Sequence, residues 1–365
     1  MAVSRKAVCL PAVFFLMIFI SMSWAQEAKP KHAPDALPGV EPEMLTPGYW
    51  IALQDDADEV IMTPGEIERF NERVRTKNVE FKDRFGKKDP MLSNFDFKLS
   101  IGLLMNPVLP LELADTVSGD SLRDILKSDI EYLFSRDFYD GRNAIYSDRM
   151  KKEIYEKINI AGVPDTITRR FGIIVNRANM RLYPTSTPGF SETRWAMDYF
   201  QTSALYTIKP VAILYESVDG DVYYVESPTA RGWVAAKEVA LAEREEIRKL
   251  VEDDNLLMAT ANKVPIYGDP SFKNFVRYFY FSSTTPLINY VSNGYVVKLP
   301  YRKPDGSLDI AIGYVKPDAD VNIGYLPYTK RNVLTQIFKL LNQPYGWAGQ
   351  HNNRYCSGTQ RVLLN

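Results

Sequence analysis

The chain has 365 residues, 45% of them hydrophobic, with 44 Lys plus Arg against 45 Asp plus Glu. That length and apolar share support two to four domains with sizeable cores, and the nearly cancelling charge leaves no basic field to hold a polyanion, which argues against nucleic acid as a partner. The 22 Tyr, 18 Phe and 23 Pro stand against two His and two Cys, a balance that favours short strands and loops and leaves few groups for acid–base work near neutral pH.

The N-terminus reads as an export signal. Arg5 and Lys6 lead into the uncharged run AVCLPAVFFLMIFISMSWAQ, and Ser23-Trp24-Ala25 offers a cleavage point before Gln26. The alternative is a retained anchor, because Ala7 to Gln26 is long enough to span a membrane. With residues 1–25 removed, the protein is expected in the periplasm or cell envelope with no stable membrane span. Cys9 leaves with the signal, so Cys356 becomes the lone thiol of an exported chain, either a buried spectator or a reactive group.

Residues 26–45, rich in Pro, Ala and charge, read as a flexible linker in which His32 is simply solvated. A helical domain is expected over 46–165. Thr63 is placed as N-cap, Pro64 at the first helical position and Glu66 as the acid that completes the cap. Leu122, Ile125, Leu126, Ile130 and Leu133 form one helical stripe, and a further helix runs from Ser147 or Asp148 to about Ile160, stopped by Gly162 and Pro164. From about Arg169 the texture becomes β-branched and aromatic, with Asp219-Gly220 marking a tight hairpin. Two small antiparallel barrels follow, over 166–240 and 241–328. They read as one architecture used twice: Tyr183 aligns with Tyr267, and Gly232 to Val234 with Gly324 to Leu326. The charged segment EREEIRKLVEDD reads as a surface helix. Asp55-Asp56 and Asp253-Asp254 read as solvated faces rather than a glycosidase pair.

Over 329–365 the pattern turns helical again, with Val333, Leu334, Ile337, Phe338 and Leu341 on an apolar face. Pro344, Gly346 and Gly349 then give a tight loop, and CSGTQRVLLN restarts a helix with Cys356 in its first turn. Unpaired N–H groups at a helix start stabilise a thiolate and make it a better nucleophile. No Gly-rich phosphate loop or metal-ligand spacing appears, so neither a metal nor another cofactor is expected.

Tyr345-Gly346-Trp347-Ala348-Gly349 followed by Cys356-Ser357-Gly358 resembles the loop and nucleophile turn of the NlpC family of bacterial cell-wall cysteine peptidases. The order of signal, helical domain and two SH3-like domains is similar to one branch of that family. The resemblance implies a multidomain α+β protein: a helical N-terminal domain, two SH3-like β-barrels and the start of a papain-like NlpC domain. It implies Cys356 as nucleophile, Tyr345 beside it in the pocket, Trp347 and Gly349 shaping the loop, and Ser357, with Trp347, contacting substrate. The implied substrate is the γ-D-glutamyl-diamino acid bond of peptidoglycan stem peptides, with the first barrel narrowing the groove and supplying acidic and tyrosine contacts to a free L-alanine amine. The implied chemistry needs no metal, and the protein is expected to be a monomer.

Two positions depart from the family pattern: Tyr355 stands where an acid is usual, and Ala348 replaces a loop glycine. A cysteine peptidase also needs a base, usually a His held by a third polar group, and in this family both lie downstream of the nucleophile. His351, five residues before Cys356, has no role in the family pattern. Ending at Asn365, within the catalytic domain, the chain is expected to be catalytically silent, with Val362, Leu363 and Leu364 left uncovered. The alternatives are a wall-binding protein that uses the paired barrels, or a fragment of an active enzyme.

Overall fold

The computed structural model describes residues 39–76, 109–191, 197–227, 230–355 and 358–359. The expected export signal with Cys9, His32 of the linker, Cys356, Ser357 and Val362 to Leu364 lie outside the described residues. Among the described residues no helix is long and apolar enough to cross a membrane. Residues up to Tyr49 form one unit and those from Trp50 onward a second. In the first, a single turn, Pro42–Leu45, is closed by Thr46 Oγ1 donating to Glu43 O at 2.7 Å, so the end of the expected linker is ordered.

Helix α1 (Pro64–Thr76) begins as its sequence dictates, with Thr63 N–H and Oγ1 both donating to Glu66 Oε2 at 2.8 Å. Strand β1 (Thr116–Ser118) leads into α2 (Gly119–Phe134), whose cap is Ser118 Oγ accepting from Asp120 N–H at 3.2 Å. The α2 stripe is real: Leu122, Leu126 and Leu133 are buried, with Ile125 and Ile130 flanking them. They pack, together with Ile154 and Ile158 of α3 (Asp148–Ile158), on Tyr183, Phe200, Tyr224 and Trp233. Helix α3 ends at Asn159, in the left-handed region at φ 48°, before the expected stops at Gly162 and Pro164 are reached. Asn tolerates that conformation where most residues do not. Strand β2 (Thr166–Thr168) then pairs antiparallel with β1.

Two seven-stranded antiparallel sheets of SH3-like type follow, making the protein multidomain α+β. The first contains β3 (Arg170–Ile174), β4 (Ala178–Arg181), β5 (Gln201–Leu205), β6 (Pro210–Glu216), β7 (Val222–Glu226), β8 (Arg231–Ala235) and β9 (Val239–Leu241), in the order β5-β4-β8-β7-β6-β3-β9. The β6–β7 hairpin turns at Asp219-Gly220 as expected, with Gly220 at φ 72°. The second contains β10 (Leu256–Ala259), β11 (Lys263–Tyr267), β12 (Phe275–Tyr280), β13 (Thr284–Val291), β14 (Gly294–Arg302), β15 (Leu308–Val315) and β16 (Val321–Ile323), in the order β12-β11-β15-β14-β13-β10-β16. The two orders are the same topology. Strand β4 therefore corresponds to β11, as Tyr183 and Tyr267 suggested. The counterpart of Gly232-Trp233-Val234 in β8 is Gly313-Tyr314-Val315 in β15, not Gly324 to Leu326, which follow the last strand.

The first sheet is buried on both faces. Ile174, Met180, Val211, Val225 and Val234 fill its inside, while Ile173, Val175, Ile208 and Ala240 join a core that continues through Leu257, Val264, Phe279 and Val297 of the second sheet. Between the sheets, α4 (Arg244–Val251) is the charged helix of the sequence. It is not wholly a surface element, since Ile247 and Leu250 enter the shared core.

Of the two carboxylate pairs taken as solvated, Asp56 and Asp253 are engaged, and so is the neighbouring Asp58. Asp56 accepts from Lys330 Nζ at 2.6 Å, Asp58 pairs with Arg331 Nε at 2.5 Å, and Asp253 lies 3.2 Å from Lys298 Nζ. The first two contacts, with Ile61 N–H donating to Tyr328 O at 2.8 Å, strap the segment before α1 to the start of α5 (Lys330–Phe338). Helix α5 has no fully buried residue, and Ile337 of its stripe is 38% exposed.

Candidate active site

The loop after α5 closes on itself through a backbone bridge between Tyr345 and Arg354, with Gly346 N–H donating to Arg354 O at 3.1 Å. Between them, Trp347–Asn352 makes an irregular turn in which Ala348, Gly349 and His351 all have positive φ, at 47°, 80° and 55°. Gly349 carries no side-chain penalty there; Ala348 and His351 hold a conformation that costs an L-residue on the order of 1 kcal/mol. Such a loop persists only when its surroundings fix it.

The first barrel supplies most of that fixing. Arg177 Nη2 donates to Gly349 O, and Gln201 Nε2 reaches Ala348 O at 3.4 Å while also donating to Ser203 O at 2.7 Å. Gln350 Nε2 donates to Asp198 Oδ2 at 3.4 Å, and the Trp347 ring lies 5.9 Å from that of Tyr199. A Cβ built on Gly349 would stand 2.7 Å from Ala204 Cβ, so the loop backbone touches β5 as closely as glycine permits.

The second barrel holds the other end. Arg354 Nη1 donates to Asn262 Oδ1 at 2.7 Å, and its guanidinium lies 5.3 Å from the Phe281 ring centroid. Upstream, Lys339 Nζ donates to Thr260 O at 3.0 Å and to both oxygens of Asp320 at 2.8 Å. Both barrels thus grip the segment that ends, two residues after Arg354, at Cys356.

Of the residues singled out in the sequence, Tyr345 is 59% exposed at the base of the loop, and Trp347 packs beside Tyr199. Cys356 and Ser357 lie outside the described residues. Beyond them Gly358 and Thr359 are helical, and Thr359 N–H donates to Tyr355 O at 2.9 Å. His351 is exposed. From the first barrel, Asp198 and Tyr199 reach the loop, through Gln350 and Trp347 respectively. Asp198, 2% exposed, is taken up within the barrel: it pairs with Arg181 and accepts from Gly189 N–H at 2.9 Å and Phe200 N–H at 3.0 Å. Among the described residues no group of three or more His, Cys, Asp or Glu is placed to hold a metal ion.

Arg177, Gln201, Asn262 and Arg354 were not singled out in the sequence. Arg177 and Gly349 are 172 positions apart, and no local pattern announces such a contact. Arg354 carried a signal, as a charged residue two places before a candidate nucleophile.

Comparison with known proteins bears on the fold. An SH3 domain of the SH3b1 type matches residues 187–235. A solved structure of an NlpC/P60 endopeptidase from Photobacterium damselae subsp. piscicida is similar at a TM-score of 0.64 and 19% identity, over 87% of this chain and 66% of that one. The chain thus spans just under two thirds of that protein's length, and what the two share is the fold. No curated protein matches the chain in sequence.

Proposed function

We propose that a chain with this NlpC/P60-type fold and SH3-like barrels is the substrate-recognising, nucleophile-bearing part of a peptidoglycan-remodelling cysteine endopeptidase acting on the γ-D-glutamyl-L-diamino acid bond. The observation that carries the reading is the double grip on the Tyr345–Arg354 loop. A peptide that reaches Cys356 passes over a loop whose position the barrels set, so recognition by the barrels and chemistry at the sulfur belong to one site.

In this reading the Cys356 thiolate attacks the glutamyl carbonyl carbon, a thioester forms as the C–N bond breaks, and the diamino acid amine leaves with a proton. Water then hydrolyses the thioester, regenerating the thiol. Tyr345 borders the substrate, and Trp347, braced by Tyr199, forms a wall of the groove. Ser357 contacts the peptide. The protein acts outside the cytoplasm on cell-wall peptides, as a monomer with no cofactor.

For the 365-residue polypeptide itself the proposal is binding without turnover, because its sequence holds only two imidazoles, His32 and His351. The second reading, a wall-binding protein, draws on the same two barrels. One experiment separates them: the purified protein is incubated with muropeptides bearing a free N-terminal L-alanine, and retained ligand and released dipeptide are measured. Retention without release is expected. Release abolished by Cys356→Ser would establish an active enzyme and overturn the binding-only part; absence of both retention and release would overturn both readings.

A further inference from the structure

Most of the guanidiniums buried in the barrel region face an acid, as the exposed Arg170 does with Glu216 at 2.8 Å. Arg181 pairs with Asp198, Arg169 lies 3.1 Å from Glu226, and Arg277 has Glu238 as its electrostatic counter-charge. Among the described residues, no acid is paired with Arg354 or Arg177. Arg354, 9% exposed, spends Nη1 on Asn262 and keeps Nε and Nη2 buried with no hydrogen-bond partner. Arg177 donates to Asn179 Oδ1 at 2.9 Å and to Gly349 O, and its Nε is likewise buried and unpartnered. Among the described residues, the titratable groups that act on them electrostatically are phenols: Tyr206 and Tyr280 on Arg177, and Tyr206 on Arg354. These two rings lie 5.5 Å apart.

Buried charge is ordinarily paired, and buried donors are ordinarily satisfied. Here two cations and three of their N–H-bearing nitrogens meet neither condition at one junction of loop and barrels. The free atoms of Arg354 are informative. Nε and Nη2 lie along one edge of the guanidinium plane, the edge that takes both oxygens of a carboxylate side-on.

We infer that this junction is a carboxylate-binding site, with Arg354 as the bidentate ligand and Arg177 as the second cation. The source of the carboxylate follows from the proposed function, on which that part of the inference rests: Arg354 stands two residues from Cys356, so the group is a free carboxylate of the bound stem peptide. Neutralising the arginines is then a step in seating substrate, and it couples the second barrel, through Asn262, to recognition at the loop.

Two measurements test this on the full 365-residue protein. In wild-type crystals soaked in bromide, an anomalous peak within hydrogen-bond distance of Arg354 Nη2 is expected. Its absence, or an Asp or Glu of the chain itself paired with Arg354, overturns the site. By calorimetry, the tripeptide L-Ala-γ-D-Glu-diaminopimelate should bind at least about tenfold tighter than its fully amidated form, about 1.4 kcal/mol, and Arg354→Gln should erase that difference. Equal binding of acid and amide by the wild type, or a preference surviving in Arg354→Gln, overturns the inference. If Arg354→Gln does not fold, the bromide peak and the wild-type acid–amide comparison decide. A bromide peak without binding of either peptide would sink the cell-wall reading and keep the anion site; equal binding of both peptides without a peak would do the reverse.

Discussion

Gly349 adopts φ 80°, and a methyl group added to it would lie 2.7 Å from Ala204 Cβ. Gly349→Ala therefore meets two obstacles, a left-handed backbone worth about 1–2 kcal/mol and a contact that forces the loop off β5. The expected result is a stability loss of about 1–3 kcal/mol by urea unfolding, with faster hydrogen exchange at the Gly346 and Asn353 amides, which the loop protects. Exchange unchanged from the wild type would show that the loop does not depend on this approach. Its neighbour behaves differently. Ala348 also has positive φ, at 47°, but is 6% exposed, so Ala348→Gly relieves strain while giving up a buried methyl worth about 0.8 kcal/mol and loosening the unfolded chain by a similar amount. These effects nearly cancel, and a change within about 1 kcal/mol is expected in the same unfolding assay. The glycine-like conformation of position 348 was legible, because the resemblance marks it as a departure from glycine. The grip of Arg177 was not, since it depends on a contact that only the folded barrels create.

Helix α2 shows what periodicity can and cannot tell. Its Leu122–Leu126–Leu133 stripe was plain in the sequence, yet nothing there revealed that it covers Tyr183, Tyr224 and Trp233 on the outside of the first barrel. Asp129 travels with that stripe. Burial against the barrel pushes its carboxyl up from the usual 3.8 to about 7, with Arg231 opposing the shift, while Tyr183 Oη donates to the Asp129 backbone O at 2.7 Å. Between pH 4 and 7 the folded state then holds a proton that the unfolded state has released, so this group's contribution to stability falls as pH rises through that window. Asp129→Asn keeps the shape and removes the charge. It is expected to raise stability at pH 8, on the order of 2 kcal/mol, and to leave it nearly unchanged at pH 4, as read by thermal unfolding at both values. Equal gains at the two pH values would mean that the charge is not what costs stability. For α4 the lesson runs the other way: its density of charge hid Ile247 and Leu250, whose three-residue spacing was the signal that one face is buried.

At the scale of the whole molecule, the repeat was legible as two barrels, but the matching of their closing segments was not. Short Gly-aromatic-aliphatic runs recur at Gly232, Gly313 and Gly324, and only strand order decides which are equivalent. What the sequence could not announce at all is that the barrels share a core, because Ile173, Val175 and Ile208 look like any alternating strand residues until the second sheet is laid against them. That core has a consequence for unfolding. Leu257 of β10, 1% exposed, packs in a cluster drawn from both sheets and from α4. Arg277 of β12 donates to Val175 O, and Arg302 Nε of β14 to Val239 O at 3.1 Å, so polar contacts cross the same boundary. Units joined in this way open together rather than one at a time. Leu257→Ala should therefore cost about 2–5 kcal/mol and lower the protection of amides in β3 and β9 of the first sheet as much as those in β10 and β13 of the second. Hydrogen exchange resolved by strand provides the check: accelerated exchange confined to β10–β16, with the first sheet still protected, would mean that each barrel unfolds on its own and that the shared residues are contact without cooperation.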